Sequence, residues 1–403
     1  MEKENKLLSM LQGYIDSHEI AGAVVMVRKK GELMCEGALG WADIENRIPV
    51  KMDTIFRLAS MSKPVTGIAV MQLVEQGKAA LTDPITRFFP EYASMKVCEK
   101  DLMPLYYSPD ANSPTGKEAL KEQVEAMTFV PAYRDVTVFD LLTHSSGLGT
   151  GPVGNALMAK FPSPVKGLQE RCRMMAQLPL DFQPGKANGY SGLAAMELLG
   201  GMVERVSGME FEAYLRKNLF DPLEIRDMGF FRTPEQEKRA SRLYEYTEAG
   251  TLADVTDTDG GWKAMNASCT GFVSGAAGLL GTVPGYERIA HMLLNKGELD
   301  GVRILKPETV EAMAGKDIAA KHVPSPGNIW GLSMMVFQDR EENKRFLTPG
   351  TYGWSGAFGT HFYMDPANDL EMVLGVNRSN IGGAGSYVSI AAEKAIFESY
   401  IQG

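Results

Sequence analysis

The sequence predicts an α+β fold of two lobes, one built around an antiparallel sheet from both ends of the chain, the other mainly helical and inserted between. Three observations lead there. Strand patterns occupy the region before residue 50 and return only after residue 331, and hairpin-length connections between them require antiparallel pairing. Helical periodicity fills the middle third. Helical stretches also open and close the chain, over 3–17 and 387–401. At 403 residues one large core or two ordinary ones are expected. The boundaries read as 1–58 with 265–403 for the sheet lobe and 59–264 for the helical one, with a cleft between them.

In chain order, Leu7, Leu8, Leu11, Tyr14 and Ile15 share the apolar face of the first helix. Ala23–Val27, a turn at Lys29-Lys-Gly-Glu32, and Leu33–Leu39 form a hairpin, which Trp41–Val50 continues. A short apolar run from Thr54 ends at Ser60. A helix follows, in which Val65, Ile68, Ala69, Met71, Leu73 and Val74 are available to one apolar side and Gly77 supplies the C-terminal stop. Residues 90–135 are polar and rich in Pro, and Tyr107–Gly116 reads as a surface loop or lid. Helices are expected at 136–142, 167–178, 192–206 and 209–218. Strands are expected at Gly331–Phe337, Gly359–Met364 and Leu370–Val376.

Composition narrows function. The hydrophobic share of 44% and charged share of 23% are ordinary for a soluble protein, and a net charge of −9 argues against nucleic acid or anionic membrane as partners. No run approaches a membrane span of about 18 apolar residues. The start is charged, without the apolar stretch of a signal peptide. Cys35, Cys98, Cys172 and Cys269 lie far apart and read as reduced thiols of a cytoplasmic protein. No His-Glu-x-x-His or clustered Cys/His set marks a metal. Gly147, Gly149 and Gly151 lack the Gly-Lys-Ser/Thr of a phosphate loop, so neither metal nor cofactor is expected.

Ser60 and Lys63 stand three apart at a helix start, where hydroxyl and amine project to the same side. That is the arrangement of a serine nucleophile whose proton passes to lysine. It equally fits an N-cap serine followed by a solvated lysine. A second Ser-x-x-Lys, Ser163–Lys166, has Pro164 inside it and no strand before it, and is set aside. Gly-x-Ser-x-Gly is absent. Its nearest approach is Gly353-Trp-Ser355-Gly-Ala357. None of the five histidines (His18, His144, His291, His322, His361) is marked as a base by its context. Tyr190, in a loop before a helix, is a candidate proton relay or a packed aromatic.

Phe56-Arg-Leu-Ala-Ser60-Met-Ser-Lys63-Pro, Leu141-Leu-Thr-His-Ser-Ser-Gly-Leu148, Tyr190-Ser and Trp354-Ser-Gly356 occur in that order. Together they resemble the serine β-lactamase and penicillin-binding protein superfamily. The similarity spans nearly the whole chain and is nearest to the family VIII carboxylesterases, which resemble class C β-lactamases. The resemblance implies an antiparallel sheet flanked by helices beside an all-helical domain. It also implies an acyl-enzyme on Ser60, with Lys63 as base, alone or with Tyr190, and Tyr190 passing the proton to the leaving alkoxide. Lys63 must then be a free amine part of the time, or Tyr190 a phenolate. The oxyanion hole would be the N–H groups of Ser60 and Ala357. Trp354, Ser355 and Gly356 would line the substrate site.

Two departures bear on substrate. Where β-lactam-handling members carry Tyr-x-Asn, this chain has Gly192 in the Asn place, and where their third motif begins with Lys it has Trp354. Loss of the amide and the cation favours a neutral, small-molecule ester, with weak β-lactam hydrolysis as a side activity. A β-lactamase, D-peptidase or acyltransferase using the same site is the enzymatic alternative. A non-catalytic ligand-binding relative is the other.

Overall fold

The computed structural model describes residues 2–402 except 109, 111–112, 259–261, 264, 317 and 319–326, with side chains from Lys6 onward. An eight-stranded sheet runs in the order Asn328–Trp330, Met335–Phe337, Tyr352–Ser355, His361–Asp365, Leu370–Val376, Gly22–Lys29, Glu32–Asp43, Ile48–Pro49. Every neighbouring pair is antiparallel. The two ends of the chain meet at its centre, where Ala23 faces Val376 and Lys29 faces Leu370. The first hairpin turns at Lys30 and Gly31, both with positive φ (53° and 77°), as a two-residue turn matched to strand twist requires.

Strand alternation divides the core into two layers. Val25 and Val27 pack with Leu7, Leu11, Ala392 and Ile396 beneath the helices Glu2–Asp16 and Tyr387–Ile396. Val24, Met26, Phe362 and Met364 join the opposite core with Ile289 and Leu293 of the helix Val283–Leu294. That second core continues without a break into the helical region. The helix Ser62–Glu75 runs through it beside the helix Ala194–Ser207.

The helix Ser62–Glu75 departs from expectation in burial. It was expected to bury one side, but every residue from Ser62 to Leu73 is buried, polar ones included. Gly67 allows this closeness, since a Cβ there would meet Ser333 Oγ at 1.9 Å. Gly77 ends the helix with a φ of +67°.

The late strands depart from expectation too. Gly331–Phe337 is not one strand: Gly331 N–H bonds Met334 O (2.8 Å) and Ser333 takes a φ of 69°, its N–H held by Leu142 O (2.8 Å). Only Met335–Phe337 remains extended, and Asn328–Trp330 pairs with it. The contact with Leu142 is tertiary, so local pattern does not show the turn.

Residues 90–135 contain a ribbon of Lys96–Cys98 with Phe129–Pro131 and a helix, Pro114–Glu125, capped by Ser113 Oγ. The lid reading of Tyr107–Gly116 falls partly on residues 109 and 111–112, outside the described residues. Tyr107 itself is exposed. All four cysteines are free thiols. No helix among the described residues is long and apolar enough to cross a membrane.

Candidate active site

The site begins at a strained turn. Phe56–Arg57 pairs with Leu280–Gly281, and Leu58 N–H bonds Leu279 O (3.0 Å). Ala59 then takes a left-handed φ of 45°, a conformation that costs a non-glycine residue about 1–2 kcal/mol. The surroundings hold it there. Ser62 Oγ donates to Ala59 O (2.7 Å) and accepts from Leu279 N–H (3.0 Å), while Tyr286 OH donates to Met61 O (2.8 Å). Ser60 sits on the single 3₁₀ turn Ala59–Met61 that leads into the helix. Pro64 falls in that helix's first turn, where its missing N–H costs nothing.

Lys63 is wholly buried, and its Nζ lies 3.0 Å from Ser60 Oγ, 2.7 Å from Gly192 O and 3.0 Å from Ala276 O. The N-cap and solvated-lysine reading is therefore excluded. A neutral amine has two N–H groups and one lone pair. The two carbonyls take the two hydrogens, which leaves the lone pair for the Ser60 hydroxyl. As an ammonium, the same group donates to all three. Both protonation states fit without rearrangement, as a base that gains and returns a proton requires.

Tyr190 OH donates to Ser60 Oγ at 2.8 Å and accepts from Trp354 Nε1 at 3.2 Å. The Trp that stands where the β-lactam-handling members carry Lys thus acts as a donor to the phenol. Lys63 Nζ lies 4.9 Å from the Tyr190 ring centre. A positive charge on Lys63 therefore faces the ring's negative π cloud.

Two residues at this site were given no role by the sequence reading. His144 holds the Tyr190 loop on both sides: its carbonyl accepts from Gly189 N–H (2.9 Å) and its Nδ1 from Ser191 N–H (3.1 Å), which places the ring hydrogen on Nε2. Ser191 Oγ adds a bond to Leu148 O (2.8 Å). Trp330 stacks on Tyr190 (5.6 Å between centres, 17° between planes) and lies 4.6 Å from Trp354 and 4.3 Å from His144. The motif around His144 was the available signal for the first. The unexpected strand Asn328–Trp330 hid the second. Tyr107, though exposed overall, also reaches here, its hydroxyl meeting the Tyr190 backbone, and loss of water around that hydroxyl pushes it above the ordinary tyrosine range.

Gly356 and Ala357 follow the strand Tyr352–Ser355 against the turn that bears Ser60. Gly356 N–H bonds Thr360 O (2.8 Å), Thr360 Oγ1 donates to Leu58 O (3.2 Å), and a Cβ on Gly356 would lie 2.4 Å from Leu58 O. Only glycine lets these backbones approach so closely. Trp354 faces Tyr190, but Ser355 does not. As the next residue on the strand it points to the other layer, where its Oγ lies 2.7 Å from His361 Nδ1. The expectation of a substrate-lining Ser355 side chain is not met.

A separate group, Glu287, His291 and Glu371, places ligand atoms within 4.8 Å of one another. Its charges are already met by Arg28, whose Nε lies 2.6 Å from Glu287 and 3.6 Å from Glu371, and His291 Nδ1 is 2.6 Å from Glu371. It is an ion-pair network between the helix Val283–Leu294 and the sheet.

A family model described as Beta-lactamase matches residues 7–392. Protein Rv1367c of Mycobacterium tuberculosis is 32% identical over 375 residues, covering 89% of this chain and 86% of that protein. Esterase EstB of Burkholderia gladioli is 29% identical, covering 94% and 91%. Lovastatin esterase of Penicillium rubens is 29% identical, covering 89% of each. Among solved structures, EstCE1, a hydrolase with promiscuous acyltransferase activity, superposes with a TM-score of 0.75 at 23% identity over 98% of both chains. Simvastatin synthase (LovD) from Aspergillus terreus gives 0.76, also at 23% identity and 98% of both chains.

Proposed function

The chain belongs to the beta-lactamase family, and from that premise we propose that it hydrolyses carboxylic esters through an acyl-enzyme on Ser60. The observation that carries this reading is the convergence on Ser60 Oγ of Lys63 Nζ at 3.0 Å and Tyr190 OH at 2.8 Å. Lys63 takes the hydroxyl proton as Ser60 attacks the ester carbonyl. The negative oxygen is met by the N–H groups of Ser60 and Ala357, an interaction worth about a hundredfold or more in rate per donor. Tyr190 gives its proton to the departing alkoxide, and the proton that Lys63 took from Ser60 restores the phenol, so that no net proton is gained or lost in acylation. Water, activated by the same pair, then releases the acid.

The cleft lies between the sheet lobe (1–58 with 265–403) and the helical lobe (59–264). Trp354 and Trp330 make its wall apolar on the side where an anionic lactam would want a cation, which supports a neutral ester over a penicillin or a D-peptide. Lactam hydrolysis is then a weak side activity. The names of the relatives EstB and lovastatin esterase support the same class. The free thiols fit residence in the cytoplasm.

A second reading, acyl transfer from Ser60 to an alcohol, draws support from an acyltransferase of Monascus pilosus, 30% identical over 74% of this chain. It needs no new residue, only an alcohol in the place of water.

The test is a mass spectrum after a brief pulse with p-nitrophenyl butyrate or with benzylpenicillin, with Ser60→Ala beside the wild type. The expected result is an acyl adduct on Ser60 from the ester and a loss of turnover of about a thousandfold or more in the variant. Equal turnover in Ser60→Ala overturns the proposal. An added alcohol that diverts product to a new ester without slowing ester cleavage establishes the transfer reading.

A further inference from the structure

Behind the Ser60 turn lies a second feature that ester hydrolysis does not use. Arg57, three residues before the nucleophile, is 2% exposed, yet no carboxylate among the described residues forms an ion pair with it. Its Nη1 donates to Ser241 O (2.6 Å), its guanidinium carbon lies 5.3 Å from the Trp262 ring centre, and its Nε has no hydrogen-bond partner. A buried charge without a counter-ion or full hydrogen bonding costs several kcal/mol. Burial first, then the like charge of Arg232, pushes the guanidinium down to about 9, so it remains a cation at neutral pH.

Arg57 borders a cavity of about 160 Å³, room for a small anion and a few waters at ~30 Å³ each. Four cations line it, Arg57, Arg232, Arg242 and Lys238, against two acids, Asp43 and Glu237. Both acids are engaged. Glu237 pairs with Arg232 (2.7 Å), and Asp43 accepts from Asn46 N–H and Nδ2 (2.8 Å each). Arg242 is held by Asp254 (2.6 Å) and Asp257 (3.0 Å) at the mouth. The cavity therefore keeps one cation unmatched at its floor, with paired arginines around it.

We propose that this cavity binds a small oxyanion, a carboxylate or a phosphate group, on Arg57 with Arg232 and Arg242 at its sides. The planar guanidinium presents its donors in a fork that fits either oxyanion. Arg57 also shares its two-residue strand with the chain that enters the Leu58–Ser60 turn, so the anion braces the nucleophile from behind.

The test is isothermal titration of the full chain with inorganic phosphate, sulfate and acetate, at an ionic strength held constant with chloride. One saturable site for at least one of these anions is expected. Arg57→Gln should weaken it by about tenfold or more, and Arg242→Gln, at the mouth, by about threefold. Tighter phosphate identifies a phosphate site, and tighter acetate a carboxylate site. No saturable binding of any of the three overturns the proposal, as does affinity unchanged in Arg57→Gln. Should that variant not fold, unchanged affinity in both Arg242→Gln and Arg232→Gln overturns it equally.

Discussion

Two serine hydroxyls among the described residues sit against a basic nitrogen, and only one is open to solvent. Ser60 Oγ is 3.0 Å from Lys63 Nζ, and Ser355 Oγ is 2.7 Å from His361 Nδ1. The second pair looks the more familiar. His361 Nε2 continues to Glu393 Oε1 at 3.0 Å, so that serine, imidazole and carboxylate form a chain, and the serine belongs to the stretch that comes nearest to Gly-x-Ser-x-Gly. Yet Ser355 is 3% exposed and lies under the layer of the helix Tyr387–Ile396, and Arg345 donates to Glu393 through both Nε (2.8 Å) and Nη2. Ser60 is only half-buried and has a phenol at 2.8 Å to serve a leaving group. A hydrogen bond between serine and base does not make a nucleophile. Access and a route for the second proton do.

The largest expected effect tests that second proton. Tyr190→Phe removes the relay and keeps the ring stack, and kcat for a p-nitrophenyl ester should fall by about 10²–10⁴-fold. A loss under about tenfold would leave Lys63 as sole acid and base and remove the distinction drawn from the phenol. Next comes the buried serine. Ser355→Ala should leave kcat within about threefold while lowering stability by about 1–3 kcal/mol in urea unfolding, because a buried imidazole nitrogen loses its partner. Turnover abolished with folding intact would reverse the roles of the two serines.

The smallest effect is one of pH. Burial pushes the Glu393 carboxyl up, but its bonds to Arg345 and His361 outweigh this and hold it below the usual range. The unfolded chain therefore takes up that proton first as pH falls. The stabilisation is complete above the unfolded value near 4.3 and is lost as pH falls through the folded one. Glu393→Gln, though less stable throughout, should show a shallower decline of stability below about pH 4.5, followed by urea midpoints. An unchanged slope would place the acid sensitivity elsewhere.

Much of this was legible beforehand. The chain's strand and helix order implied a sheet shared by both ends, because Leu370–Val376, apolar but for Glu371, is buried on both faces and only hairpins connect the late strands. Ser60 and Lys63 were legible because helical spacing alone brings i and i+3 together. Tyr190 and Trp354 depended on the order of four loose motifs, since 130 residues separate Tyr190 from Ser60 and no local rule spans that distance. What stayed hidden was set by tertiary contact. Ser333 is turned by a bond to Leu142, which creates the strand that carries Trp330. His144 acts partly through its carbonyl, which side-chain chemistry does not reveal. Ser355 was misread because a motif names residues without naming the face each one takes.

The pairing of Gly22–Lys29 with Leu370–Val376 also sets when this protein becomes an enzyme. On the ribosome, Ser60 and Lys63 are made early, but the sheet lacks its middle until residue 376 has emerged. Until then Trp354, the donor to Tyr190, has no closed sheet to hold it. Hydrolytic competence arrives only with the last strands, so a nascent or truncated chain carries the nucleophile in its sequence without the means to use it.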